Sequence, residues 1–250
     1  MDSGGAVTVL DQVNRRVERW SQGKVVATPL AVGGGLADLA VEPDGTLDVL
    51  EPPDRTTPAP VLRSFHPDGS ERWAQRLSDR TWSKLDSGPE GPVVQQEPSE
   101  QWLPTAEHGA PLRQAAQAAR GRSGKPIGGG RELVVDRVGA NELRIAEVAE
   151  NTTSRSWRIT SATPLGEVQL VEAHGNRLVV VVKTSTDDRD EFLVLVLDHA
   201  GVALRFSVEP FEWAESAPLA RFRLAGLSLY QLGSTPAGAF VDRFDLEVSR

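Results

Sequence analysis

Short apolar segments alternate with polar, glycine-containing turns along this chain. The clearest unit has apolar segments at 36–41, 47–50 and 61–65, followed by 71–77, where polar and apolar residues alternate. Such alternation is typical of a strand with one buried face and one face in solvent. The pattern therefore predicts four antiparallel β-strands joined by tight hairpins, with the alternating segment as the outer strand.

The same kinds of segment return later in the chain. Residues 154–159 and 203–208 alternate between polar and apolar and are predicted to be outer strands. The uninterrupted apolar run 178–182 predicts a central strand buried on both faces. The turns 43–46 and 67–70 both contain Asp-Gly, a pair suited to tight hairpins because it tolerates positive φ.

The turn glycines recur at a nearly constant interval. Gly5, Gly45, Gly91, Gly175 and Gly226 each precede an apolar segment, at steps of 40, 46, 84 and 51 residues. The step of 84 covers two units, and the weak copy falls near 128–130. A period of about 40–50 residues is the signature of propeller blades or solenoid units. We therefore predict an all-β propeller with six blades of mostly four antiparallel strands; five or seven blades are the alternatives.

The 250 residues are predicted to form one propeller domain, 1–250, with an irregular insertion at about 97–130. This segment is rich in Pro, Gly, Gln and Ala, and residues 112–120 within it favour a short helix. Residues 1–5 fall at the turn between the first and second strands of the first unit. The N-terminal strand of the first blade is therefore expected to be missing or trimmed.

The first unit carries a more specific pattern, made of Asp11, Asn14, Arg16, Val17 and Trp20. This pattern resembles the NHL repeat. The resemblance implies that the Asp and the Asn organise a turn through side chain–backbone hydrogen bonds and that the aromatic packs between blades. It also implies a six-bladed propeller that acts as a binding platform more often than as an enzyme, although related propellers include metal-dependent lactonases.

Composition narrows the function classes. The net charge of −8 and the lack of a basic cluster argue against a nucleic-acid partner. Cysteine is absent, which excludes disulfides and thiolate chemistry, and no apolar run is long enough to span a membrane. The preference for Arg over Lys indicates a GC-rich, actinobacterial genome. We expect a secreted or cell-envelope location rather than a cytoplasmic one, with no signal peptide in this chain.

Three groups of residues are candidates for a site. The insertion offers Trp102 as an exposed anchor, with Arg113 and Arg120 as binding residues. Polar residues near the ends of inner strands predict a metal or ligand site in a central channel: Asp38, Glu42, Asp86, Glu167 and Arg221. The acidic hairpin tip with Asp187, Asp188 and Asp190 is a weaker candidate for a cation, because hard cations prefer several carboxylate oxygens.

These observations predict a non-catalytic binding or scaffolding module. We expect its partner to be a protein or an extracellular polymer, and we expect the isolated chain to be monomeric. No cofactor is expected, with calcium as the candidate if an ion binds. The alternative is a lactonase-like, divalent-metal-dependent hydrolase or lyase with its site in the central channel.

Overall fold

The computed structural model describes residues 6–78, 81–96, 101–107, 109–112, 124–150, 152–185, 190–211, 220–235 and 238–247. They fall into two compact units, Met1–Gly128 and Gly129–Arg250. Antiparallel strands of adjacent sequence form successive sheets in each unit. Within the described part of the chain, no helix is long and apolar enough to cross a membrane.

The first unit contains three sheets, a short hairpin and one further strand. The first sheet consists of β1 (Val7–Asp11), β2 (Arg16–Ser21) and β3 (Lys24–Pro29). The second consists of β4 (Asp38–Val41), β5 (Leu47–Glu51), β6 (Val61–Phe65) and β7 (Glu71–Arg76). The third consists of β8 (Trp82–Gly88), β9 (Gly91–Gln96) and β10 (Gln101–Pro104). The hairpin of β11 (Ala106–Glu107) and β12 (Ala110–Pro111) follows, and then β13 (Gly124–Gly128).

The second unit contains three sheets with the same antiparallel order. The first of them, which is the fourth sheet along the chain, contains β14 (Arg131–Gly139), β15 (Glu142–Ala149) and β16 (Thr152–Thr160). The fifth has β17 (Leu165–His174), β18 (Arg177–Ser185), β19 (Asp190–Asp198) and β20 (Gly201–Val208). The sixth has β21 (Phe222–Ala225), β22 (Ser228–Thr235) and β23 (Gly238–Asp245).

Strand β5 is buried on both faces, because the second sheet packs against the first and the third. On β5, Val49 belongs to a cluster with Val17 and Phe65 of the first and second sheets. The next residue, Leu50, belongs to a cluster with Leu85 of the third sheet. Successive side chains of a strand point to opposite faces, so one strand serves both clusters. The run Leu178–Val182 on β18 is fully buried in the same way, as its sequence predicts.

The turn between β1 and β2 has the geometry that the NHL resemblance implies. The Asp11 carboxylate accepts hydrogen bonds from the Asn14 backbone N–H (3.1 Å) and from its side-chain amide (2.8 Å). Arg16 donates to the same carboxylate at 2.9 Å. The role expected for Trp20 is wrong, because its side chain is 48% exposed instead of packed between sheets. Trp20 lies on β2, where its Cα partners are Val7 on β1 and Val25 on β3.

The predicted insertion at 97–130 is more regular than its composition indicates. Residues 101–104 form β10, which pairs with β9 from Gln96 to Val93, and residues 124–128 form β13. Pro104 is the last residue of β10, which is an edge strand of its sheet, and proline is tolerated on edge strands. Residues 97–100, 108 and 113–123 lie outside the described residues, and with them nearly all of the predicted helix.

Candidate functional site

Trp102 is not the exposed anchor that the sequence predicts. Its side chain is only 6% exposed, because β10 is the third strand of a sheet and not part of a surface loop. The buried Lys125 ammonium lies 5.4 Å from the centre of the Trp102 ring and 2.5 Å from the Asp86 carboxylate. Trp102 and Asp86, two predicted site residues, are thus brought together by Lys125. The predicted binding residues Arg113 and Arg120 lie outside the described residues.

Asp38 has a structural role that its residue type does not reveal. One carboxylate oxygen accepts the Leu39 N–H at 2.9 Å and the other accepts the Leu85 N–H at 2.8 Å. The side chain is buried, and it ties the start of β4 in the second sheet to β8 in the third. These two backbone hydrogen bonds explain why a carboxylate is stable at a position with little solvent.

The predicted channel residues divide between the two units. Asp38, Glu42 and Asp86 belong to the first unit, and Glu167 and Arg221 to the second. Glu167 is an exposed residue of β17, whereas the Arg221 guanidinium lies 5.4 Å from the centre of the Phe192 ring. Their convergence on one channel stays a prediction.

Metal binding likewise stays a prediction. Among the residues that the structure describes, no three His, Asp or Glu side chains are arranged to hold a metal ion. Asp187 and Asp188 of the acidic hairpin tip lie outside the described residues. Asp190 is the first residue of β19.

Two carboxyl groups, the half-buried Glu42 and the buried Asp48, lie at the turn between β4 and β5. Burial raises the pKa of Glu42 to about 7, and the nearby Asp48, Asp44 and Asp86 carboxylates raise it further, while the Ser87 hydroxyl moderates the rise. Burial also raises the pKa of Asp48 to about 6, moderated by the Ser64 hydroxyl and the Arg72 charge. One carboxylate oxygen of Glu42 and both of Asp48 are buried without a hydrogen bond of ordinary geometry.

We call these two carboxyl groups the acid pair. With pKa values of about 7 and about 6, both change protonation state near neutral pH. Glu42 was among the predicted channel residues, whereas sequence reasoning missed Asp48. The alternation along β5 was the signal that could have found it, because Asp48 shares a face with the buried Leu50. A carboxyl group with a pKa near 7 is suited to proton transfer, and perturbed pKa values of this kind are enriched at functional sites.

A groove of about 380 Å³ lies in the second unit, between the fourth and fifth sheets. One wall is residues 155–158 of the outer strand β16, and the other is the turn from β19 to β20, residues 197–202. The Trp157 indole N–H donates to the Asp198 carbonyl at 2.9 Å and fixes the two walls to each other. We call this feature the β16 groove. Its volume falls within the range of about 300–1,000 Å³ that is usual for ligand sites.

The wall formed by β16 carries backbone groups that do not bond to β15. Ser161 donates its N–H to the Asn141 carbonyl at 3.1 Å, which sets the alternation of hydrogen-bonded pairs along β15 and β16. By this alternation Trp157 bonds to β15, whereas the N–H and C=O groups of Ser156 and Arg158 point away from it. The next outward carbonyl, that of Thr160, accepts from the Arg205 guanidinium at 3.3 Å, which agrees with this alternation.

The lining of the β16 groove combines charged and apolar side chains, and its one acidic residue, Asp198, accepts the Ala200 N–H at 2.7 Å. Arg155, Arg158 and His199 contribute the cationic or titratable side chains. Each arginine has a carboxylate neighbour, at 4.0 Å for Arg155 and Glu147 and at 2.7 Å for Arg158 and Glu142. Arg158 is highly exposed, and surface pairs contribute only about 0–1 kcal/mol, so an acidic ligand can compete with Glu142 for it. Glu147 is buried and also binds Arg131 at 2.9 Å. The exposed Val202 adds apolar surface beside the buried Leu197 and Trp157.

Comparison with known proteins identifies the fold. No family model matches the chain, and no curated protein matches it in sequence. The solved structure of hydrazine synthase from Kuenenia stuttgartiensis is similar over 93% of this chain and 74% of that one, with 13% identity and a TM-score of 0.54. The solved β-propeller domain of Nup133 from Vanderwaltozyma polyspora is similar over 97% of this chain and 79% of that one, with 9% identity and a TM-score of 0.47. BamB from Moraxella catarrhalis covers 96% of each chain, with 12% identity and a TM-score of 0.39.

At these identities the likeness is one of fold alone. The chain is an all-β propeller of roughly six blades, and the six sheets are its blades. The predicted fold class is thereby confirmed. Membership in the NHL family is not confirmed, because the comparisons give no match to that family.

Proposed function

We propose that this propeller is a non-catalytic binding module that captures an extended, acidic segment of a partner protein in the β16 groove. The observation that carries the proposal is the coincidence of an open strand edge with a groove of ligand size. An extended peptide adds to such an edge through its own backbone, while its alternate side chains enter the neighbouring groove.

The backbone groups favour a peptide over another polymer. Ser156 and Arg158 each present one N–H and one C=O along the groove, spaced as a β-strand requires. A carbohydrate polymer also carries hydroxyl donors and acceptors, but they do not alternate along its backbone with the spacing of a β-strand. Arg155 and Arg158 then favour acidic side chains, and Val202 offers contact to an apolar residue of the same peptide.

The test is binding of a synthetic acidic peptide with alternating Glu and Val, measured by fluorescence anisotropy against a Lys and Val peptide of the same length. We expect binding of the acidic peptide only, and a loss of affinity of about tenfold or more in Arg158→Glu. Arg243→Glu is the matched control, since Arg243 is similarly exposed and paired but lies on the sixth sheet. Equal losses in both variants, or binding of an acidic polysaccharide without binding of the peptide, would contradict the proposal.

The competing function is a divalent-metal-dependent hydrolase or lyase, and the acid pair is the observation in its favour, because the Glu42 pKa of about 7 suits proton transfer. Thermal unfolding with EDTA and then with excess calcium separates the two functions. An ion that binds the folded state raises the unfolding temperature by mass action. A rise of several degrees in the unfolding temperature would favour the enzyme. The location of the protein outside the cytoplasm stays a prediction for both functions.

A further inference from the structure

The edge of the first sheet is apolar where an outer edge is usually polar. On β3, Val25 is 49% exposed and Val26 is 62% exposed, and Trp20, the Cα partner of Val25 on β2, is 48% exposed. The outer strand of the second sheet, β7, instead presents Glu71 and Arg76 to solvent. Charged residues on an edge strand prevent pairing with another chain, and β3 has none between Val25 and Pro29.

The outward-facing backbone groups of β3 can be assigned from its pairing with β2. The hairpin turns through Gln22 and Gly23, both with positive φ, and Leu30 donates its N–H to the Arg15 carbonyl at 2.9 Å. Lys24, Val26 and Thr28 therefore bond to β2. The N–H and C=O groups of Val25 and Ala27 point away from the sheet, which leaves four backbone groups on the edge as far as the described residues show.

The free edge ends abruptly at Pro29. Pro29 has no N–H, and the turn containing Gly69 covers its carbonyl. A Cβ built on Gly69 would lie 2.5 Å from the Pro29 oxygen and 2.7 Å from the Thr28 side chain. A strand that pairs with β3 must therefore turn away opposite Pro29. Asp68 directly precedes Gly69 in this turn and is exposed, and its carboxylate accepts from the N–H and hydroxyl of Ser70 at 2.9 and 2.7 Å.

We propose that two copies of this chain associate through antiparallel pairing of their β3 strands, with the two-fold axis at Val26. The N–H and C=O groups of Val25 in one copy then bond to the C=O and N–H groups of Ala27 in the second copy. Ala27 of the first copy and Val25 of the second form the equivalent pair. The two Val26 side chains contact each other at the axis. Lys24 of one copy lies opposite Thr28 of the other, beside Asp68 of that copy.

Three features make a second copy the occupant of this edge. The pairing uses all four free backbone groups of each strand, because Val25 and Ala27 are placed symmetrically about Val26. In this register Gly23 of the second copy lies opposite Pro29, so its hairpin turns away where Gly69 covers the edge. Finally, Lys24 and Asp68 are complementary charges that meet twice in the symmetric pair. The proposed dimer differs from the monomer that the sequence predicts, and the experiment below decides between them.

The test is sedimentation velocity of the whole chain over a concentration series from about 1 to about 200 µM, since dimerisation follows mass action. We expect a reversible monomer–dimer equilibrium. Ala27→Pro removes one outward N–H that β2 does not use, and edge strands tolerate proline at such positions. We expect it to weaken dimerisation by tenfold or more.

The matched control is Ala74→Pro on β7. Leu77 donates to the Pro60 carbonyl at 2.9 Å, so the N–H of the exposed Ala74 also points away from its sheet. This variant should dimerise like the unaltered chain. A chain that is monomeric throughout the series, or a dimer that persists in Ala27→Pro, would overturn the proposal.

If Ala27→Pro does not fold, Lys24→Glu tests dimerisation through β3 instead. Lys24 is exposed at the hairpin, so the substitution leaves the sheet intact while it places a negative charge beside Asp68 of the second copy. We expect a loss of dimer affinity of about tenfold, as for a like-charge contact at an interface rim. Unchanged dimerisation in Lys24→Glu would overturn the proposed pairing register.

Discussion

The turn from β4 to β5 and the turn from β6 to β7 have the same Pro-Asp-Gly sequence and the same backbone conformation. In the first, Glu42 N–H donates to the Thr46 carbonyl and Gly45 N–H to the Glu42 carbonyl, both at 2.9 Å. In the second, His66 and Gly69 make the corresponding bonds at 2.8 and 2.9 Å. Both glycines have a φ of +85°, and both Asp side chains accept the backbone N–H two residues later at 2.9 Å.

The two turns differ in what surrounds them. The first lies beside the acid pair, and its Gly45 approaches only the ring of Pro67, at 3.2 Å from a built Cβ. The second leaves His66 exposed but presses Gly69 against the backbone of β3. A Pro-Asp-Gly sequence thus determines the local backbone, whereas position within the sheet determines the packing and the electrostatics.

The largest effect should come from Gly69→Ala. Its Cβ would collide with the backbone of Pro29, which cannot move as a flexible side chain can, and the positive φ adds strain. We expect a loss of about 2–5 kcal/mol in the free energy of unfolding. Gly45→Ala has the same φ but contacts only a proline ring, and should cost about 1–2 kcal/mol. Urea unfolding of both variants gives the comparison, and equal losses would show that β3 does not constrain the second turn.

Asp48→Asn should stabilise the protein at alkaline pH. The pKa of Asp48 is about 6 in the folded protein against 3.8 when unfolded, so the folded state binds the proton more tightly. Stability therefore falls as pH rises from about 4 to about 6 and stays reduced above that range. A shift of about two pKa units corresponds to about 3 kcal/mol, which is the gain expected for Asp48→Asn at pH 8.

The control for this variant is Asp44→Asn in the same turn. A backbone hydrogen bond from Thr46 lowers the pKa of Asp44, so its ionised form stabilises the fold above about pH 4, and that stability is lost as pH falls. Asp44→Asn should therefore reduce stability at pH 8, opposite in sign to Asp48→Asn. Urea unfolding at pH 4 and pH 8 measures both, and a destabilised Asp48→Asn at pH 8 would contradict the assigned burial.

Much of the fold could be predicted because local patterns determine it. The segments 47–50 and 61–65 became β5 and β6 nearly to the residue, and the glycine period located the hairpins. The segment around Trp102 was missed because its Pro and Gln content resembles a loop. Its strand forms by pairing with β9, a contact between residues that the composition of 101–104 alone does not reveal.

The candidate sites were less predictable, because they depend on neighbours distant in sequence. Asp38 was selected for its carboxylate, but the Leu85 N–H that satisfies it is supplied by the third sheet. The β16 groove was not predicted at all, since its walls come from two different sheets. No local sequence signal marks the turn around His199 as one wall of a groove.

The smallest effect concerns the coupling within the acid pair. Burial is the main cause of the raised Glu42 pKa, and the Asp48 carboxylate is the next. Because Asp48 is ionised at pH values where Glu42 titrates, Asp48→Asn removes a repulsive charge and should lower the Glu42 pKa from about 7, although not to its ordinary value of 4.5. Carbon-13 NMR titration of the Glu42 carboxyl in both proteins measures this change. A midpoint near 4.5 in the unaltered chain would show that Glu42 is solvated, and an unchanged midpoint in Asp48→Asn would show that the two carboxyl groups titrate independently.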